Sequence, residues 1–240
     1  MSFVLRLSVV SLACVAFVGQ AFAGSEEASG SAVVREMNLA RLNPSAYASY
    51  LEELRGNFQG NMLVLPGRIP FQTKEGVRAV DEAIRFLRSA APQPALNFSP
   101  GMSRAAADHC AEQAGGGMSH SGRGGSNTGE RINRYGTWGG TWGENLSCGR
   151  RGARETVIAL IVDDGLSGRK HRKNIFSPSF GYAGAAIGQH AQYHTICSIE
   201  FAGDYVEQGQ VAQRTAAASA RSREIDRAPA SRELFATNGL

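Results

Sequence analysis

From residue 143 to residue 176 the chain reads GENLSCGRRGARETVIALIVDDGLSGRKHRKNIF. Its middle, Glu155 to Asp163, has the length of a short helix, and Val157, Ile158, Leu160, Ile161 and Val162 leave it almost no polar face. A helix apolar nearly all round has to be buried, and one of this length buries itself best against a sheet. An acid pair, Asp163-Asp164, ends it, and a strongly basic segment centred on His171 follows within a few residues.

The sheet lies on both sides of that stretch. Short extended pieces are expected around Trp138 to Ser147, inside a glycine-rich segment, and two strands follow the basic segment. Tyr182 to Gly188 forms the first of these. In the second, Tyr193, Thr195, Cys197, Ile199 and Phe201 share one face and alternate with His194, Ile196, Ser198 and Glu200, the period of two that marks a strand. Residues Gly188 to Gln192 close the two into a hairpin. Upstream the period changes to that of helices. Val33, Met37 and Ala40 line one, and Asn43-Pro44 ends it and starts another, with asparagine as N-cap and proline at the first helical position. The stretch 56–72 reads as loop; Thr73 is expected to cap a third helix striped by Val77, Val80, Ile84 and Leu87. Ser99-Pro100 opens a fourth that runs to Gln113. Helices preceding and flanking such strands predict an α/β fold: an α-β-α sandwich with a largely antiparallel central sheet.

Composition fits one such domain. The 240 residues are 42% hydrophobic and 19% charged, and the 29 glycines gather at 115–125, 136–149 and 181–188, where ordered loops are expected. A formal charge of +4 suits an acidic partner such as a wall polymer or anionic lipid. No basic stripe interleaved with aromatics appears, so nucleic acid is not an expected partner. The first residues carry an export address: one arginine at position 6, an apolar run from Leu7 to Val18, and the small-x-small site Ala21-Phe22-Ala23. The expected organisation is a signal peptide over 1–23 cut after Ala23, a linker over 24–32, the domain over 33–206 and a flexible tail over 207–240. No later segment is long and apolar enough to span a bilayer. The protein is therefore expected to be secreted or periplasmic, where one disulfide among Cys110, Cys148 and Cys197 is the simplest arithmetic, any of the three pairs being open.

Two histidines stand apart from the helices and strands. His120 lies in Met118-Ser119-His120-Ser121-Gly122, and His171 in Arg169-Lys170-His171-Arg172. Between them in sequence come Glu144 and Asp164, the latter at a helix C-terminus, where the macrodipole disfavours a carboxylate and invites a compensating cation. His109, His190 and His194 read as ordinary structural histidines.

In this order the residues resemble the CAP superfamily (cysteine-rich secretory, antigen 5, pathogenesis-related 1), bacterial-type branch. Gly143-Glu144-Asn145-Leu146 resembles that family's GEN motif. A His-Ser-Gly histidine and Arg131-Ile132…Tyr135-Gly136 precede it, and an apolar helix and His171-Arg172-Lys173-Asn174-Ile175…Pro178-Ser179-Phe180…Gly184 follow it. The resemblance covers roughly residues 33–205. It implies a cleft where His120 and His171 meet Glu144 and a second acid, at Asp164 with Asp163 as the neighbouring candidate. Many relatives have glutamate there, so this side chain is one methylene shorter. It further implies that the two imidazoles hold a weak, exchangeable divalent metal such as zinc; two nitrogen ligands leave positions open for water or a ligand. The expected function is a binding module for a lipid, sterol-like or wall ligand. The alternative is a metal-dependent hydrolase of peptide, wall or ester bonds, although no Gly-x-Ser-x-Gly nucleophile motif is present.

Overall fold

The computed structural model describes residues 29–210. Its elements in chain order are α1 (Gly30–Leu42), α2 (Pro44–Arg55), β1 (Phe58–Gln59), β2 (Met62–Leu63), β3 (Phe71–Gln72), α3 (Val77–Ser89), β4 (Asn97–Phe98) and α4 (Pro100–Gln113). A 3-10 turn over Arg123–Gly125 follows, then α5 (Thr128–Ile132), β5 (Gly136–Cys148), α6 (Ala153–Val162), α7 (Lys170–Phe176), β6 (Tyr182–His190) and β7 (His194–Glu207). The residues read as signal peptide, and those of the tail beyond 210, lie outside the described residues. The stretch read as linker is helical from Gly30 onward, with Ser29 as N-cap accepting from the amide of Ala32.

Four strands form the central sheet in the order β4-β6-β7-β5. Only the two-residue β4 runs parallel to its neighbour β6; β6 and β5 both pair antiparallel with β7. The expected α-β-α sandwich with a largely antiparallel sheet is the fold observed. One face carries the main core. Phe201, Ile199, Cys197, Ala183 and Ala185 pack there against Val33, Met37, Leu51, Leu87, Val157 and Ile161, all buried. Phe180 stacks on Phe201 with ring centroids 5.1 Å apart. On the other face Met102 and Ala105 of α4 and Ile132 of α5 meet Ala202 and Tyr205.

Caps at two helices follow the sequence: Asn43 accepts from the amide of Ala46, and Ser99 from that of Met102. Three local expectations are corrected. The third helix begins at Val77 with Gly76 as its cap, at φ 65°, while the Thr73 hydroxyl donates to the carbonyl of Asn61 at 2.6 Å. The stretch 56–72 folds three two-residue strands into a small antiparallel sheet. Glycines of 136–149 and 181–188 lie largely in strands rather than loops: β5 spans 13 residues, with an irregularity between Gly139 and Trp142. At Gly184 a side chain would collide with the α4 backbone at Met102 and Ser103, and at Gly30 with the carbonyl of Ala185. Helices thus close on β6 from both faces because the residues there are small.

The expected disulfide is not formed: Cys110, Cys148 and Cys197 are free thiols. Cys197 points into the main core. Cys110 sits on α4 across the sheet, its Sγ 3.5 Å from the carbonyl of Ala186. Burial pushes the Cys110 thiol up to about 12 and the Cys197 thiol well above its ordinary value.

Candidate functional site

The site is built from the second half of β5 outward. Along this strand Glu144, Leu146 and Cys148 are paired with Glu200, Ser198 and Ile196 of β7. Paired residues share a sheet face, here the face that carries α4. The loop after α4 brings His120 over Glu144, whereas His171, expected in a loop, is the second residue of α7 and reaches the same strand from the other layer. Between them opens a cleft of about 740 Å³, with Leu146 at its floor and Met118, Leu166 and Lys170 at its walls.

Each imidazole is held in the same way. His120 Nδ1 lies 2.6 Å from Glu144 Oε1, and His171 Nδ1 lies 2.7 Å from Asp163 Oδ1. An ionised carboxylate only accepts, so both Nδ1–H groups are donors, and neither Nε2 has a partner among the described residues. Asp163 also accepts from the His171 backbone N–H at 3.0 Å. It does so from the left-handed region (φ 56°) as the C-cap of α6, a conformation aspartate tolerates better than most residues.

The acid beside His171 is Asp163 and not Asp164. The chain turns at the helix end, so Asp164 points the other way and accepts from the amides of Lys74 and Glu75 at 2.7 and 2.8 Å. The structure therefore brings together His120, Glu144 and His171 of the expected set, and adds Asp163. In place of a compensating cation, Asp163 accepts from the imidazole and backbone amide of His171, and Asp164 from the backbone amides of Lys74 and Glu75.

Beneath Glu144 lies a buried charge network that sequence reasoning missed. Arg131, fully buried, bonds Glu144 Oε2 through Nη2, Thr128 Oγ1 through the same nitrogen, and the carbonyls of His120 and Ser126 through Nη1. One guanidinium thus ties the His120 loop to the acid that orients the His120 ring. Glu200, also fully buried, stands 3.9 Å from Arg131 Nε and accepts from the Ser198 hydroxyl at 3.2 Å. Burial first, and the neighbouring Glu144 charge second, raise its carboxyl well above the ordinary range. His109 Nε2 lies 2.9 Å from the carbonyl of Ser119 and 3.7 Å from Glu144 Oε2. Arg131 stood inside a motif, but no sequence signal distinguished Glu200 from an exposed polar position on an alternating strand. His120 itself has a raised pKa, chiefly because its hydrogen bond to Glu144 favours the imidazolium, with burial opposing.

Among the described residues no group of three or more His, Cys, Asp or Glu is arranged to hold a metal ion. The two Nε2 atoms are the uncommitted donors, each backed by a carboxylate in the way metal-ligating histidines are. No helix among the described residues is long and apolar enough to cross a membrane.

Comparison with known proteins places these residues in a family context. The profile of the cysteine-rich secretory protein family (CAP) matches residues 82–201, half of the chain. No curated protein matches it in sequence. Among solved structures, an outer surface protein of Borrelia burgdorferi is 16% identical, with a TM-score of 0.38 over 46% of this chain and 78% of its own. An extracellular protein containing a SCP domain from Bacillus anthracis is 14% identical, with a TM-score of 0.36 over 52% of this chain and 37% of its own. A cysteine-rich secretory protein from Staphylococcus aureus is 10% identical, with a TM-score of 0.34 over 53% of this chain and 38% of its own.

Proposed function

Since the chain belongs to the CAP family, we propose that it is an exported binding protein whose cleft beside β5 takes a ligand and holds a divalent ion weakly through His120 and His171. One observation carries this reading. Two imidazoles from different layers of the sandwich line the same cleft, and each has Nδ1 committed to its own buried carboxylate. That arrangement fixes the tautomer with Nε2 unprotonated and available as a donor. Two protein ligands fit an exchangeable ion and not a structural zinc, which takes four.

The chain's own residues do the positioning. Glu144, clamped by Arg131, holds the His120 ring; Asp163 holds the His171 ring and its backbone amide. Lys170 adds a positive charge at the wall. A bound divalent ion would supply Lewis acidity toward water or a ligand oxygen, and the hydrolase alternative differs from the binding reading only in requiring turnover there. Export rests on the apolar run and small-x-small site of residues 7–23. The protein recovered outside the cytoplasm is expected to begin at Gly24 on N-terminal sequencing.

Zinc titration followed by thermal melting tests the metal. A ligand bound only by the folded state at ten times its Kd stabilises by about 1.4 kcal/mol, so millimolar zinc at neutral pH is expected to raise Tm. Both His120→Ala and His171→Ala should lose that rise, whereas His194→Ala should keep it. A melt that zinc leaves unchanged would refute the metal.

A further inference from the structure

We propose that Arg169, gripped by Glu75 and Glu82, is the positioning residue for the His171 imidazole and acts through Asp163; this deepens the cleft reading above and rests on its assignment of His171 as a ligand. The last carbonyls of a helix have no partner within it. At the end of α6 two arginines take them. Arg172 donates through Nε to the carbonyl of Ile161 and through Nη2 to that of Val162, and Arg169 Nη1 donates to that of Asp163 at 2.7 Å. The two have different consequences. Arg172 holds the last turn of the helix, whereas Arg169 holds the one residue whose carboxylate orients the His171 ring.

Asp163 needs that hold. It sits at φ 56°, and Arg169 itself, the N-cap of α7, sits at φ 49°. The left-handed region is unfavourable for a residue with a side chain, and a turn bounded by two such residues persists only where its surroundings over-determine it. Here they come from the segment that leads into α3. Glu75 accepts from both terminal nitrogens of Arg169, at 2.6 and 2.8 Å, and Glu82 accepts from its Nε at 2.9 Å. With every guanidinium nitrogen committed, the planar fork has one orientation. The Glu75 carboxylate also takes the amide of Gly165, at the cleft wall, at 2.7 Å. In return the amides of Lys74 and Glu75 bond Asp164. Hydrogen bonds from Arg169 hold the Glu75 carboxyl down at about 2, so the grip stays in place wherever an imidazole can be studied.

His120 is held by a related device. There a guanidinium, Arg131, grips the carboxylate of Glu144 that steers the ring. At His171 the guanidinium grips the backbone that carries the carboxylate. Both oxygens of Asp163 are thereby left to His171, one for Nδ1 and one for the backbone amide.

The test reads the imidazole in the protein from Gly24 onward, in EDTA at about pH 9, where a ring of ordinary pKa, about 6.5, is neutral. The ¹⁵N shifts of His171 should report one tautomer, protonated at Nδ1. Arg169→Gly suits the left-handed backbone better than arginine does and removes only the grip of the side chain. It should draw the two ring ¹⁵N shifts of His171 toward each other, as both tautomers become populated, and leave those of His120 unmoved. Arg169→Lys puts a point charge in place of a fork and should fall between the parent and the glycine variant. If Arg169→Gly does not fold, Glu75→Gln, which lacks the charge that draws Arg169, is read in its place and should move the shifts in the same direction. Unmoved His171 shifts would overturn the proposal, because the ion pairs would then staple the turn and nothing more. Equal movement at His120 would overturn it too, as a general loosening. Zinc keeps this reading apart from the metal one. Where zinc raises the parent's Tm, Arg169→Gly should bind it about tenfold more weakly, the loss seen when the support behind a ligating histidine is disturbed; equal affinity would count against the positioning role. A parent that zinc leaves unchanged refutes the metal alone, and the tautomer comparison still decides.

Discussion

His120 and His171 present two imidazoles of different exposure to one cleft. The His120 side chain is 63% exposed and that of His171 17%, yet each is steered by a carboxylate that is itself almost wholly buried. For His120 the consequence is a raised pKa, so the folded state binds its proton more tightly than the unfolded chain does. That contribution is complete below the unfolded value of about 6.5 and is lost as pH rises through the folded value. A ¹H–¹⁵N titration of the imidazole should give a midpoint above 6.5, and Glu144→Gln should lower it. Glu200 has the same sign with a different origin. Burial raises its carboxyl well above the ordinary range, so above the unfolded value, and until pH passes through the raised folded one, the unfolded chain releases a proton that the native protein retains, and stability declines with pH. Glu200→Gln should remove that slope, and the variant's Tm should gain on the parent's as pH rises above the ordinary carboxylate range. Loss of Arg131 is costly for a different reason. Arg131→Met leaves Glu144 buried without its cation, a change worth about 3–5 kcal/mol, to be read from denaturant midpoints. Sequence made the two histidines and Glu144 legible through their motif setting. It left the second acid at Asp164, because the turn that exchanges it for Asp163 is a single left-handed residue that spacing does not encode.

Between residues, the elements are matched by size. The run Ala183-Gly184-Ala185-Ala186 on β6 lets α1 approach from one face and α4 from the other. Gly184→Ala forces a methyl into the α4 backbone and should cost about 1–3 kcal/mol as overpacking, seen as a lower Tm with the folded circular dichroism spectrum retained. Phe201 stacks on Phe180 in the main core with no exposed surface; Phe201→Ala should cost about 3–5 kcal/mol. The helices over 30–113 were readable because their caps and stripes are local: Asn43 and Ser99 cap as their side-chain chemistry dictates. β5 was less readable. Its glycines suggest loop, and only pairing with β7 on both sides of the Gly139/Trp142 irregularity explains why Gly136 to Cys148 is one strand. Glu200 was opaque for a related reason. Alternation assigns it to a face, but whether that face meets water or α4 and Arg131 is decided by residues far away in sequence.

The molecule as a whole is a sandwich whose cleft lies at the sheet's edge, where the layers meet. Its thiols are shielded by the same layering. Cys110 and Cys197 are buried and hard to ionise, whereas Cys148 is half-buried at the end of β5. A thiol count on the protein from Gly24 onward should give three groups in denaturant, and in native buffer Cys148 should be alkylated first. His120 hangs from the loop behind α4, His171 stands in the first turn of α7 just after α6, and the sheet separates α4 from α6. Anything gripping both rings would act as a cross-brace between the two slabs of the protein, resisting their sliding apart. Its signature would be kinetic: a slower rate of coming undone, with the speed of refolding nearly untouched.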